Sequence, residues 1–511
     1  MDLVTALRGA AERHPSRPAV RGTGRCLTYA AWAARTSQLA RALAAAGVCP
    51  GDRVGLLLRG GEPLASLHLA VQQLGACSVP LSTRFGPGEL RYCVEDAGIR
   101  LLVVDPATAD AAGAAVMDAA VPGGRVRLCT VAELDAVAEG LDDHPLPVTP
   151  APDTVSVQLY TSGTTGRPKG VPRSHRAEHA AAVAHAVQTQ QRLGEVSLGV
   201  MPMFHTMGLR TLLASIVVGG TWVAQPVFDA DEAAELIVAE GVSSLYLVPT
   251  MFWSLLRTGR LGAASRLDRL AYAGAAMAPA LAEQLVAEVA PSAFVNHFGS
   301  TEIYTFTIGP DVAAKPGSAG RAGIFSRVRL VAPEPDAPPD ALVGAGEQGQ
   351  VVVSMASPEA FAGYWRRPDA NRRSIRDGWY YTGDLAVADE DGDLWVSGRV
   401  DDMINSGGEN IYPDEIEAVL VRCPAVDDVC VVGLADERWG QAVTAFVVPA
   451  QRVAPLVAAT EAYAYARTAL PSVKRPKRVI AVDAIPRSGV GKTLRRTLVA
   501  GEFDARGEAG G

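Results

Sequence analysis

The chain has 511 residues, too many for one comfortable core, so two or more domains are expected. Its 48% hydrophobic content is ordinary for a globular protein, and a net charge of -8 leaves no basic surplus to neutralise nucleic-acid phosphates. The seven cysteines are scattered with no CxxC pair, which indicates neither a disulfide framework nor a zinc site.

The opening MDLVTALRGAAERHPSRPAV lacks the apolar core of a signal peptide. Alanine-rich Leu39–Ala46 predicts a helix stopped by Gly47, followed by a strand over Val54–Leu58. Leu64–Leu74 has helical spacing of apolar residues, and Ile99–Val104 reads as a buried strand. Val155–Leu159 alternates like a strand, and Ala180–Val187 favours helix. Then come strand Val196–Met201, helix Leu209–Val218, strand Thr221–Ala224, helix Asp231–Glu240 and strand Val242–Val248. This alternation implies α/β architecture, a doubly wound, mostly parallel sheet with ligands beyond the carboxyl ends of its strands. The most apolar long run, Leu209–Phe228, is broken by Arg210, Gly219, Gly220 and Pro226, so no membrane span is expected and a cytoplasmic location is.

From about Arg321 the texture changes to short apolar runs, Val328–Val331, Gln350–Val353 and Leu394–Ser397, between Gly/Pro/Asp turns. This predicts a β-rich subdomain, with proline-rich Ala332–Ala341 as a surface loop. After Asp401 the alternation resumes: helix Asp414–Val421, strands Val429–Leu434 and Ala442–Val448, helix Thr460–Leu470 and strand Arg478–Val482. The expected division is a large domain over 1–400 and a small α+β domain over 401–511.

Between the strand at Val155 and the helix at Ala180 lies Tyr160–Gly170, YTSGTTGRPKG. Glycines allow close backbone approach, hydroxyls donate to phosphate oxygens and an ammonium offsets their charge, a mix that suits a polyphosphate. Composition alone also fits a mobile surface loop; the order of the residues decides. The stretch resembles the phosphate loop of the adenylate-forming superfamily, which spans acyl-CoA synthetases, aryl-CoA ligases, luciferases and peptide-synthetase adenylation domains. Two other matches are set aside. Gly344–Gly349 fits GxGxxG, but strand-like residues flank it and no helix follows, so a hairpin turn is expected. Gly491-Lys492-Thr493 resembles the end of a Walker A loop, yet the first glycine of that pattern would fall on Pro486.

Five further stretches match the superfamily in its order: Met201–Gly208, Asn296–Glu302, Tyr381–Asp384, Gly398–Glu417 and Pro486–Lys492. The resemblance spans nearly the whole chain. It is nearest to bacterial benzoate-type CoA ligases, such as the 4-chlorobenzoate:CoA ligases, through the hinge stretch, GLADERWGQ at Gly433–Gln441 and KRPKR at Lys474–Arg478.

The resemblance implies a role for each matched residue. Thr161, Ser162, Gly163, Thr164, Thr165 and Lys169 would hold ATP phosphates. Phe298 would stack near adenine beside Gly299, Thr301 would contact the phosphate, and Glu302 with Thr165 would hold Mg²⁺. Asp384 would accept both ribose hydroxyls, and Arg399 would contact ribose or phosphate. His205 would lie beside the substrate carboxylate, and Lys492 would neutralise charge during adenylation. Asp401 would be the hinge of a mobile C-terminal domain, and Gly407 and Gly408 would line the thiol channel. Coenzyme A would meet the Trp439 indole, with Arg475, Lys477 and Arg84 on its phosphates. Val473 stands where the benzoate-type ligases have an aromatic ring.

The acyl pocket implied in the same way is walled by Ala184, His205, Met207, Tyr246, Ala273, His297, Gly299, Tyr304 and Thr305. Its polar members suit a hydroxy- or amino-substituted aryl acid or a cinnamate-like acid better than a halobenzoate or fatty chain. Ala184 replaces a phenyl ring and leaves room. Arg210 reads as a surface arginine, with a second anionic group as the alternative. The expected activity is ATP-dependent ligation of an aryl or aryl-alkenyl acid to CoA, releasing AMP and pyrophosphate, by a monomer or homodimer. The alternatives are an adenylating enzyme with another acceptor (a carrier-protein thiol or an amine) or an inorganic acid, and a nucleotide-binding regulator without catalysis.

Overall fold

The computed structural model describes residues 3–117, 119–122, 124–147, 150–161, 167–264, 266–334, 336–406, 409–487 and 493–510. The architecture is mixed α/β, with a large N-terminal and a smaller C-terminal body. One compact unit comprises residues 1–328 and 353–380, and the other residues 329–352 and 381–511.

The first unit holds two largely parallel sheets. In one, strands Arg53–Leu57, Cys77–Pro80, Leu101–Val104, Arg127–Thr130 and Val155–Thr161 run parallel. In the other, Val196–Gly199, Thr221–Ala224, Ser244–Leu247, Arg269–Tyr272 and Ala293–Phe298 do so. The strands are short and apolar because helices cover them. The second sheet packs Leu245, Leu247, Leu270 and Phe294 against helical Phe252, Ala282 and Leu285.

Most predicted elements are present with shifted ends. The helix expected from Leu39 starts at Tyr29, where the Thr28 hydroxyl accepts from the Ala31 N–H as an N-cap. Its first turns were hard to read because Thr36 and Ser37 lie on the buried face, each donating to the Ala33 carbonyl. Several strands were missed, among them Cys77–Pro80, Arg127–Thr130, Arg269–Tyr272, Ala293–Phe298 and Lys169–Ser174. Lys169–Ser174 pairs antiparallel with Val155–Thr161, although its sequence KGVPRS contains Gly170 and Pro172. It is the edge strand of its sheet, where proline is tolerated.

In the second unit, strands Val426–Asp436 and Gly440–Pro449 form a long antiparallel hairpin, with Arg478–Ala481 parallel to its second arm. Helices Pro413–Leu420 and Pro455–Ala469 bury Ile416, Leu420, Ala458 and Ala462 against Val431 and Val443 of the hairpin. A C-terminal strand, Gly507–Gly510, closes on Arg478–Ala481 and was not foreseen. The GxGxxG stretch is a turn: Glu347 N–H donates to the Gly344 carbonyl, and strand Gln348–Ser354 follows. Among the described residues no helix is long and apolar enough to cross a membrane.

Candidate functional site

The phosphate-loop stretch sits at the tip of a hairpin, because Thr161 pairs with Lys169 and Tyr160 with Gly170 across the two strands. Ser162, Gly163, Thr164 and Thr165 lie outside the described residues. Lys169 Nζ stands 4.5 Å from the centre of the Tyr364 ring. The Tyr364 hydroxyl donates to Glu302 Oε1 at 2.7 Å. From the edge strand, Arg173 Nη1 donates to the backbone carbonyls of Thr301 (2.8 Å) and Glu302 (3.2 Å). Glu302 is thus a buried carboxyl group linked through Tyr364 to Lys169, and carboxylate oxygen suits a hard divalent cation such as Mg²⁺.

Gly299 shows why the motif before Glu302 needs glycine. A Cβ there would lie 1.7 Å from the Tyr304 carbonyl oxygen, since the chain turns back on itself between Phe298 and Phe306. That turn carries Thr301 and Glu302 on one side and Tyr304 and Thr305 on the other.

Tyr246, Ala273 and His297 come from the carboxyl ends of neighbouring parallel strands, where the register Tyr246–Ala271–Val295 places them on one sheet face. The structure links them into a buried polar chain. Tyr246 Oη is 3.1 Å from His297 Nδ1, and the Tyr304 hydroxyl is 3.1 Å from that of Tyr246. Tyr304 Oη is also 3.1 Å from Nδ1 of His185. At the other end, His297 Nε2 is 3.2 Å from Thr305 Oγ1, and Thr305 donates its N–H (3.1 Å) and O–H (3.0 Å) to Glu359 Oε2. Burial holds His297 down at about 3 and His185 well below the ordinary imidazole value, while it raises both tyrosines. Both imidazoles are therefore neutral and both phenols keep their protons at neutral pH.

Sequence reasoning missed His185 and Glu359. His185 follows Ala184 on helix His175–Gln188, and its signal was a polar side chain on the buried face of an alanine-rich helix. The surface reading of Arg210 is wrong. Its side chain is fully buried, pairs with Glu178 Oε2 and donates to the Glu178 carbonyl at 3.0 Å. Arg173 pairs with the other oxygen of Glu178. Burial alone would raise the Glu178 carboxyl, but the guanidiniums of Arg210 and Arg173 outweigh it and hold it at about 2.

His205 is the N-cap residue of helix Thr206–Val217, and Met207, in the first turn of that helix, lies near Gly274. Burial and the charge of Arg84 push His205 down to about 4, so it too is neutral. Ala184 and Ala273 are buried, whereas Arg84 is exposed.

In the second unit, Asp384 and Arg399 face each other on paired strands, with Arg399 Nη1 2.5 Å from Asp384 Oδ1. Gly383 has φ +78° between Thr382 and Asp384, a left-handed turn that glycine allows at no steric cost. Asp401 lies in the turn Val400–Asp402 directly after the Arg399 strand. Gly407, Gly408 and Lys492 lie outside the described residues. Trp439 occupies the tip of the long hairpin, where its N–H donates to Asp436 Oδ1 at 2.9 Å. Lys477 Nζ and the Arg438 guanidinium stand 4.6 and 4.8 Å from the centre of its indole. The KRPKR cluster is less open than its sequence suggests: Lys474 pairs with Glu415 and Arg478 with Glu508. Arg475 is half-buried and donates to the Leu470 carbonyl.

Residues 7–365 match the AMP-binding enzyme family, and residues 415–492 match the AMP-binding enzyme C-terminal domain. The chain belongs to the AMP-binding enzyme family. Among its relatives, a feruloyl-CoA synthase from Amycolatopsis sp is 37% identical over 491 residues, covering 95% of this chain and 96% of that protein. The fatty acid–[acyl-carrier-protein] ligase ScoC of Streptomyces coeruleorubidus is 36% identical over 506 residues, covering 96% of this chain and 94% of that protein. The crystal structure of ATP-bound MatB from Rhodopseudomonas palustris superposes with a TM-score of 0.88 at 27% identity, covering 98% of this chain and 99% of that one. This AMP-binding enzyme falls among the acyl- and aryl-CoA ligases, which are AMP-forming acid–CoA ligases.

Proposed function

We propose that this ligase adenylates an aryl or aryl-alkenyl carboxylic acid and passes the acyl group to coenzyme A. The observation that carries the acid class is the Tyr246–His297–Tyr304 wall, aromatic and polar together, at the carboxyl ends of the parallel strands. Its rings offer an aryl group edge and face contacts that a fatty chain cannot make in kind.

In the first half-reaction a substrate carboxylate oxygen attacks the α-phosphorus of ATP, and the bond to the bridging oxygen breaks as pyrophosphate leaves. Two anions must meet, so charge neutralisation dominates the barrier. Thr161, Ser162, Gly163, Thr164, Thr165 and Lys169 bind the phosphates, Phe298 and Gly299 flank the adenine, and Thr301 contacts the phosphate. Asp384 and Arg399 hold the ribose side. Lys492 offsets the charge at the reacting phosphate. His205, neutral, orients the carboxylate without pairing with it as a cation. Glu302 and Thr165 would hold Mg²⁺, which supplies further neutralisation of the phosphates. In the second half-reaction a thiol sulfur attacks the acyl carbon, the bond from that carbon to the phosphate oxygen breaks, AMP departs and the thiol proton is lost to solvent. A small domain over 401–511 turns about Asp401 between the steps, bringing Gly407 and Gly408 to the thiol. Trp439, Lys477, Arg475 and Arg84 hold CoA. The protein works in the cytoplasm as a monomer or homodimer.

A second reading keeps the adenylation and changes the acceptor to a carrier-protein thiol, which the similarity to ScoC favours. The acid class is tested by pyrophosphate release over a panel of benzoic, cinnamic and fatty acids with ATP and Mg²⁺. Release with the aryl or aryl-alkenyl acids is expected; release with fatty acids alone would overturn the reading.

A further inference from the structure

The proton positions of the buried polar chain can be assigned from one end to the other. Gln188 is fixed because its Oε1 accepts the Ile324 N–H at 2.8 Å, so its Nε2 faces Thr305 Oγ1 at 3.5 Å as a donor. Glu359 accepts both the N–H and the O–H of Thr305 on one oxygen. Burial pushes the Glu359 carboxyl up, while the Thr305 donors and the guanidiniums of Arg173 and Arg210 act against that. The hydrogen bonds decide in favour of the carboxylate: Thr305 donates its O–H to Glu359 Oε2, and the Tyr304-to-Tyr246 bond runs in the sense this requires.

With Glu359 ionised, the Thr305 proton points to it, and Thr305 Oγ1 must accept from His297 Nε2–H. His297 Nδ1 is then bare and accepts from Tyr246. Tyr246 oxygen in turn accepts from Tyr304, as the Tyr304-to-Tyr246 hydrogen bond is oriented. Tyr304 has then used its proton, so His185 must donate to it from Nδ1–H. This leaves His185 Nε2 as a bare acceptor, buried and without a hydrogen-bond partner. A buried acceptor in that state calls for a donor. The His185 ring stands edge-on to Tyr246 with centroids 4.6 Å apart, in the same group of side chains as the acyl wall. Tyr304 is held from its other side by the Arg210 guanidinium, 4.9 Å from its ring centre and itself anchored on Glu178.

The geometry points to His185 as the specificity-determining residue of the acyl pocket, its Nε2 accepting a hydrogen bond from a hydroxyl or amino group on the ring of the substrate acid. This rests on the aryl-acid reading and refines it. A ring bearing only an acceptor or a methyl group leaves Nε2 unsatisfied or displaces a water without replacing its bond, and a site built around a buried acceptor rejects such analogues.

The test compares 3- and 4-hydroxy, methoxy and methyl members of one cinnamic or benzoic acid series by kcat/KM for pyrophosphate release. The wild-type enzyme should prefer at least one hydroxy isomer about tenfold or more over its methoxy and methyl counterparts. In His185→Leu that ratio should collapse to about twofold or less. Tyr304→Phe, which removes one oxygen and cuts the relay, should shrink the ratio while still turning over the methoxy acid. A wild-type enzyme that accepts hydroxy and methoxy acids equally, or a His185→Leu enzyme that keeps the preference, overturns the assignment. If no acid of the series releases pyrophosphate while fatty acids do, the aryl-acid reading itself fails and takes this one with it.

Discussion

A cation stands over an aromatic ring at nearly the same distance in both units: Arg210 over Tyr304 at 4.9 Å and Lys477 over Trp439 at 4.6 Å. The surroundings differ. Arg210, Tyr304 and the paired Glu178 are buried, whereas Trp439 and Lys477 are only partly covered at a hairpin tip. Such contacts contribute about 0.5–1 kcal/mol when exposed and about 2 or more when dry. Removing Arg210 or Glu178 leaves a charge stranded inside the protein, so stability and acid choice change together. Removing a member of the second exposes only surface, so a change there should be confined to whatever the surface binds.

The largest expected effects come from residues that divide the two half-reactions. Lys492→Ala should abolish acyl-adenylate formation while sparing thioester formation from supplied acyl-AMP; equal loss in both would erase the functional contrast between the two steps. Asp401→Pro should do the reverse, because proline fixes φ near about -65° and removes the freedom a hinge needs. Pyrophosphate exchange should persist and the thioester step should slow by orders of magnitude. Normal thioester kinetics in a folded variant would remove Asp401 from that role.

Next in size is Glu178→Gln, which leaves Arg173 and Arg210 facing a neutral amide in a buried site. Urea unfolding should show a loss of about 3–5 kcal/mol. The Glu178 carboxyl is held at about 2 against an ordinary 4.5, so its contribution is fully present above about 4.5 and is lost as pH falls toward 2. The variant should lack that part of the acid dependence, and an unchanged profile would mean the pair is not stabilising.

The smallest effect is expected at the surface. Trp439→Ala should raise the KM for CoA about tenfold, since stacking on a base contributes about 1–3 kcal/mol, with pyrophosphate exchange hardly altered. A comparable fall in protein stability would show that the indole is a packing residue.

The same contrast explains what was legible in the sequence. Sequence motifs are short and contiguous, so Phe298–Glu302 and Tyr381–Asp384 could be singled out by their order, and strands such as Val196–Gly199 and Thr221–Ala224 by their alternation with helices. The proposed acyl wall was legible only in its members. Tyr246, His297 and Tyr304 could be named, but the relay joining them also needs His185 and Glu359, which are distant in sequence and belong to no motif. Arg210 looked exposed because its partner, Glu178, is thirty-two positions away on another helix. The strand Lys169–Ser174 was hidden by a proline that only an edge position accommodates.

The central claim is that one protein both adenylates the acid and hands it to coenzyme A. It is tested most directly by mass spectrometry of the products formed from ATP, Mg²⁺ and a hydroxylated aryl acid, with and without millimolar CoA. Acyl-AMP is predicted without CoA, and acyl-CoA with an equal amount of AMP in its presence. Acyl-AMP that persists unchanged at millimolar CoA, yet is consumed by a carrier protein bearing a pantetheine thiol, would contradict the claim and assign the second step to the other acceptor.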